Sequence, residues 1–235
     1  MLRQEKNRII FHYDAEELWI EPWGDNAVRI RATKNAKMPG ENWALIPQEN
    51  VACEIDFNET GASLKNGKVK VCITYGGKIT IYNQKNELLL EEYWRNRRDL
   101  LDPKCSAIEV EAREFKPNIG GDYHLTMRFQ SVDKNEKIYG MGQYQQPYLN
   151  LKGTDLELAH RNSQSSVPFA ISSLGYGLLW NNPGVGRVVF GNNITSYESY
   201  ATKVLDYWFV AGDTPAQIEE AYAKAECPVI SNNSA

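Results

Sequence analysis

Glu91-Glu92, Asp99 with Asp102, Asp155 with Glu157, and Glu219-Glu220 each set two carboxylates close together in the chain. Paired acids matter because one can act as general acid and the other as base when both converge on a reacting bond. Strand alternation puts Asp155 and Glu157 on one face, so that pair has the strongest claim. Exposed acids are ordinary, and a solvated face outweighs a catalytic pair at each of these places. The three histidines, His12, His124 and His160, lie near none of the four cysteines, Cys53, Cys72, Cys105 and Cys227, and no CxxC occurs. That spacing argues against a metal site, and free buried thiols are the expectation. No Ser-His-Asp set or phosphate-binding loop stands out, and no cofactor is expected. Tyr144 and Tyr148 beside Gln143, Gln145 and Gln146 suggest other chemistry, since aromatic faces pack on sugar rings and amides bond hydroxyls. Aromatic residues make up 11% of the chain, and core packing accounts for most of them.

The segments that must position these groups alternate with period two. Arg8–His12, Glu17–Pro22 and Ala27–Ala32 read as half-buried strands, and Gly24-Asp-Asn26 turns the chain between the last two. Lys34–Gln48, with Pro39-Gly40 and Pro47, reads as a long loop anchored by Trp43. Val51–Phe57, Val69–Tyr75, Lys78–Tyr82 and Glu87–Trp94 follow as strands, and Gly76-Gly77 marks a hairpin. Arg95–Asp99 is a charge run expected in a solvated loop. Ala107–Phe115 and Tyr123–Ser131 form a second expected pair. Strands continue at Val167–Ser172, Gly177–Trp180, Arg187–Phe190, Ser196–Ala201 and Val204–Val210. One helix is expected: Thr214 caps it, Pro215 opens it, Gln217 completes a capping box, and Cys227-Pro228 closes it. Its apolar face is Ile218, Ala221, Tyr222 and Ala225.

The fold class is therefore mainly β: a large antiparallel β-sandwich of a dozen or more strands with one C-terminal helix. A small N-terminal hairpin unit packed on the sandwich is a further expectation. Residues 1–228 are expected to form one domain, followed by a frayed tail at 229–235. The net charge of −4, with both signs interspersed and no basic stripe, argues against nucleic acid as a partner. No apolar run approaches the length of a membrane span. The charged start, Met1–Arg8, lacks the apolar centre of a signal peptide, so a cytoplasmic location is expected.

An ordered series of motifs runs from Ile138 to Lys224. It comprises Tyr139-Gly-Met-Gly142, Leu149–Gly153, Pro168-Phe169, Ser172–Asn181, Asp206–Val210 and Gly212–Pro215. No piece is specific alone, but order and spacing together resemble the module ahead of the catalytic barrel in glycoside hydrolase family 31, the α-glucosidases and α-xylosidases. The resemblance implies a galactose-mutarotase-like supersandwich. In that family the two catalytic carboxylates of a retaining mechanism belong to the barrel, so the resemblance implies that the barrel and its acids lie outside residues 1–235. This chain alone is then expected to be inactive.

The resemblance also points to one segment that touches sugar. A loop before the Pro-Phe strand reaches over the barrel mouth in family members. Here it is Leu158–Gln164, and its Arg-Asn-Ser-Gln sequence is similar to the α-xylosidase-like version. Arg161 and Asn162 are the implied substrate-binding residues, through guanidinium and amide bonds to hydroxyls of an α-xyloside or α-glucoside. Capping of the loop itself is the competing role for both. Two alternatives stay open. One is a stand-alone carbohydrate-binding module built on Tyr144 and Tyr148. The other is an aldose mutarotase-like protein, which needs a His and a Glu converging, and neither His124 nor His160 has an evident partner in the sequence. Apolar surface left by a separated barrel interface is expected to drive some self-association.

Overall fold

A computed structural model of the chain describes residues 1–48, 51–95, 101 and 105–226. The charge run from Arg95 falls beyond its first residue outside that set, as do Asp102, Cys227-Pro228 and the tail at 229–235.

Two antiparallel sheets face each other. The eight-stranded sheet runs in the order β1 (Leu2–Glu5), β2 (Arg8–Tyr13), β3 (Glu16–Pro22), β4 (Ala27–Thr33), β18 (Leu205–Ala211), β15 (Tyr176–Trp180), β14 (Ser165–Ser172) and β12 (Ile138–Gln143). The ten-stranded sheet runs β13 (Asp155–Leu158), β16 (Gly186–Phe190), β17 (Ile194–Thr202), β11 (Tyr123–Gln130), β9 (Leu88–Glu92), β8 (Ile79–Asn83), β7 (Val69–Thr74), β6 (Gly61–Asn66) and β5 (Glu54–Asn58). Its tenth member, β10 (Arg113–Pro117), pairs with β11. The inward residues of both sheets, among them Ile9, Leu18, Ile30, Leu64, Val71, Met127, Phe129, Trp180, Tyr197 and Phe209, form one apolar cluster between the layers. This is the mainly β sandwich that the alternation predicts.

The helix α1 (Pro215–Glu226) lies on the outer face of the eight-stranded sheet. Its start follows from the capping residues: Thr214 Oγ1 accepts from the Gln217 N–H at 3.3 Å, and the Gln217 side chain accepts from the Asp213 N–H at 3.1 Å. The predicted face is the observed one. Ile218 and Ala225 are buried, Ala221 and Tyr222 pack beside them, and the Tyr222 ring stacks on Phe169 at 3.9 Å. Gly177 allows this approach, because a Cβ there would meet Ile218 and Phe169 side-chain carbons at 2.7 Å.

Several expectations are corrected. The N-terminal hairpin is no separate unit: β1 to β4 continue the eight-stranded sheet through β4–β18 pairing, Phe209 opposite Val28. Trp43 does not anchor its loop, being 60% exposed. Leu45, 3% exposed, does so by joining the apolar cluster under α1, while the Ile46 N–H donates to the Ala225 carbonyl at 2.7 Å. Tyr139-Gly-Met-Gly142 lies within β12, whose register against β14 shifts between Gly140 and Gly142. Pro168 has no ladder partner in β12, so the residue without an N–H sits where the ladder is already broken. Both glycines have positive φ, and a Cβ on Gly142 would lie 2.2 Å from the Ser165 carbonyl oxygen.

Candidate functional site

The segment between β13 and β14 passes from one sheet to the other at the side of the sandwich where β12 and β13 are edge strands. Its end is a tight turn. Arg161 and Gln164 exchange two backbone hydrogen bonds of 3.2 Å, which leaves Asn162 and Ser163 as the two tip residues. All of Arg161, Asn162 and Ser163 are exposed.

The two predicted residues differ in their surroundings. Arg161 directs its Nε (2.9 Å) and one terminal nitrogen (2.5 Å) to Oε2 of Glu157. Its guanidinium is thus engaged within the loop, as the capping role required. Among the described residues, the Asn162 side chain has no hydrogen-bond partner, so its carbonyl and amide are presented to solvent. Tyr144 follows β12 and packs its ring against the inter-sheet core. Its hydroxyl donates to the Glu157 carbonyl at 2.9 Å and shares a 2.8 Å hydrogen bond with the Ser166 hydroxyl. Burial raises the Tyr144 pKa, which keeps the phenol a donor. Tyr144 is therefore a brace between β13 and β14 and not the sugar platform that its sequence setting suggests. Tyr148 is half exposed and leaves the open face of its ring available.

Among the described residues, most of the paired acids are engaged in ion pairs. Asp155 is gripped by Arg187 through Nε (2.7 Å) and a terminal nitrogen (2.5 Å), and this hydrogen bonding holds its carboxyl below the ordinary range. Glu157 pairs with Arg161. Glu91 pairs with Lys78, while Glu92 is buried against Arg113 and the Ile79 N–H. Glu219 and Glu220 lie exposed on α1, with Glu220 bonded to Lys224 at 2.7 Å. Asp99 and Asp102 lie outside the described residues. Asp155, its carboxyl held low by Arg187, stays ionised and has no proton to give, whereas a general acid must hold one. His124 does have a partner, contrary to the sequence reading: its Nε2 lies 3.2 Å from Glu198. The two bond each other directly on an outer strand face. Among the described residues, no group of three or more His, Cys, Asp or Glu side chains could hold a metal ion. Among the described residues, no helix is long and apolar enough to cross a membrane.

Two cavities, of about 520 and 350 Å³, open on the surface. The larger lies by α1 and is lined in part by Asp25, Asn66, Trp208 and Lys224. The smaller lies on β5 to β8 and is lined in part by Glu54, Asp56, Lys65 and Lys70. Neither includes Arg161 or Asn162. The tip lies away from both.

The profile of the Glycosyl hydrolase 31 N-terminal galactose mutarotase-like domain matches residues 17–188. The chain belongs to glycoside hydrolase family 31. An uncharacterized family 31 glucosidase, ORF2, of Pseudescherichia vulneris is 45% identical over 232 residues, which is 95% of this chain and 44% of that protein. Alpha-xylosidase A of Aspergillus niger is 27% identical over 217 residues, covering 83% of this chain and 28% of its own. Among solved structures, a family 31 α-xylosidase from a soil metagenome, complexed with xylose, superposes with a TM-score of 0.93 at 45% identity. That match covers 96% of this chain and 34% of the other. The family 31 chain described here thus spans less than half the length of these relatives, in the part named for the N-terminal domain.

Proposed function

We propose that residues 1–228 are the non-catalytic N-terminal domain of a retaining α-glycosidase of the α-xylosidase type, which supports a catalytic barrel and lends it the Leu158–Gln164 loop as part of the sugar-binding mouth. The observation that carries this reading is the 0.93 superposition on an α-xylosidase complexed with xylose, at 45% identity across nearly the whole chain. The arrangement of the acids agrees with it, since Glu91, Glu92, Asp155, Glu157 and Glu220 are each engaged in an ion pair. An exposed tip that lines neither of those two cavities is compatible with one half of a shared pocket.

In this reading Asn162 bonds a hydroxyl of a bound α-xyloside, α-glucosides being the second substrate class, and Arg161 stands beside it. The test is N162A in the full-length enzyme that carries this domain. Loss of a hydrogen bond to substrate predicts a rise in KM for an aryl α-xyloside of roughly tenfold. Unchanged kcat and KM would refute the assignment of the tip to the mouth. A cytoplasmic setting belongs to the same proposal and is supported by Cys53, Cys72 and Cys105, which form no disulfide. The exposed Trp43, Tyr148, Leu149 and Val167 give the separated domain apolar surface. Partial self-association is expected, and sedimentation showing only monomer at high concentration would contradict it.

A carbohydrate-binding module acting alone is the weaker reading. Tyr148 favours it, as an exposed ring, but Tyr144 is committed to the brace. NMR titration of the 235-residue chain with xylose, glucose and maltose oligomers separates the two: shifts centred on Tyr148 at millimolar sugar would support a module.

A further inference from the structure

We infer that Glu157 and Tyr144 are positioning residues for the Asn162 tip, and that Arg161 serves this positioning and not sugar contact. This rests on the reading above that the tip faces sugar. The turn is otherwise thinly held. Two backbone bonds of 3.2 Å close it, and Gln164 adds a 3.4 Å side-chain bond to the Ala159 carbonyl. An exposed polar turn held only so would sample many orientations, and a disordered tip loses entropy each time it meets a ligand.

Two further contacts remove that freedom. The first is the Glu157–Arg161 pair. The residues are four apart in a non-helical segment, so the pair forms only when the chain bends back at Ala159 and His160. Two guanidinium N–H groups converge on one carboxylate oxygen, which fixes the side chain of the residue immediately before Asn162. The second is the Tyr144 hydroxyl, which bonds the backbone of β13 at Glu157 and the Ser166 hydroxyl of β14, the two strands from which the loop springs. Because the Tyr144 ring is packed on the core, the brace ties the base of the loop to the rigid part of the sandwich. Together they make a chain of contacts from core to Tyr144, to Glu157, to Arg161, and so to Asn162. Arg161, with its guanidinium occupied, has less to offer a hydroxyl than the unpartnered amide next to it.

The test compares E157Q, Y144F, N162A and the reversed pair E157R/R161E in the full-length enzyme, with amide hydrogen exchange at residues 161–164 read in parallel. E157Q is expected to raise KM for an aryl α-xyloside roughly threefold, the scale of one exposed ion pair. Y144F is expected to raise it roughly fivefold, the scale of one lost hydrogen bond. In both, kcat changes less than KM, and the amides of Asn162 and Ser163 exchange faster. The reversed pair recovers most of the E157Q loss, because it restores the contact with the roles exchanged. Should N162A raise KM while E157Q and Y144F leave both KM and tip exchange unchanged, the positioning inference fails and the mouth assignment stands. A reversed pair as impaired as N162A would also overturn it, by showing Arg161 to be a sugar contact. If N162A itself has no effect, the underlying reading fails instead.

Discussion

Asp206 offers the sharpest test of what holds this fold together. Its carboxylate is 1% exposed and accepts from Arg29 through Nε (3.0 Å) and a terminal nitrogen (2.6 Å), and from the Asn181 side chain at 2.8 Å. Arg29 is equally buried, and its guanidinium lies 4.5 Å from the Trp23 ring centre. The pair joins β4 to β18, the central seam of the eight-stranded sheet. Burial pushes the Asp206 pKa up and the Arg29 contact pulls it down. Replacing Asp206 by Asn keeps the shape and strands a buried guanidinium. Removing one partner of such a pair costs about 3–5 kcal/mol. The Trp23 face offsets part of that, since a desolvated cation–π contact contributes about 2 kcal/mol, so a net loss of about 1–3 kcal/mol is expected. For a domain of this size that lowers Tm by about 2–12 °C. Urea unfolding followed by tryptophan fluorescence measures it, and a cycle of D206L, R29M and R29M/D206L isolates the coupling. The double variant should cost less than D206N, because a buried pair replaced by apolar groups is often nearly neutral. A D206N loss below about 0.5 kcal/mol, or a double variant that costs the sum of the singles, would refute the reasoning.

Three further outcomes follow from the same structure. G177A should cost about 1–3 kcal/mol, the range for overpacking, since its Cβ would press on Ile218 and Phe169 at 2.7 Å; thermal unfolding of the variant checks this, and an unchanged Tm would contradict it. Y207F should be neutral or stabilising, because the buried Tyr207 hydroxyl has no hydrogen-bond partner among the described residues; a loss above about 1 kcal/mol in urea unfolding would show that the hydroxyl is satisfied. The Asp155 carboxyl, held low by hydrogen bonding and charge from Arg187, should titrate by NMR below the ordinary value of about 3.9. Its contribution to stability is present above that ordinary value and fades as pH falls through the lowered one, so R187A should move the midpoint back up and an unmoved midpoint would count against the pair.

Periodicity and capping chemistry were enough to find most strands, the helix and its buried face, since those signals are local. The Gly76-Gly77 hairpin held for a reason the dipeptide alone does not contain: a Cβ on Gly77 would meet the Phe11 ring of the opposite sheet at 2.5 Å. Strand β6, Gly-Ala-Ser-Leu-Lys-Asn, has little intrinsic strand preference and was not legible. It is a strand because β5 and β7 pair on both sides and its Asn66 side chain donates to the Gly24 and Ala27 carbonyls at 2.7 and 2.8 Å. Trp43 and Leu45 show the same limit, since size suggested the anchor and the position of α1 decided it. At the candidate site, the resemblance pointed to the loop, and the residues 161 and 162 looked alike in sequence. Only the fold shows that Glu157 occupies one and leaves the other open. Tyr144 was misread because its partners lie on two strands that are distant in the chain. The buried Glu136 is comparable: Lys152 at 2.9 Å, Ser172 at 2.6 Å and Tyr176 at 2.8 Å surround it, and no sequence spacing brings those together.

Hydrolysis of an aryl α-xyloside by the purified 235-residue chain, set beside the full-length enzyme, tests the central claim most directly. The account predicts no turnover above buffer from the chain alone and robust turnover from the full-length protein, with N162A weakening the latter through KM. Turnover by the chain alone that disappears on substituting Asp155, Glu157 or any other acid within it would contradict the account.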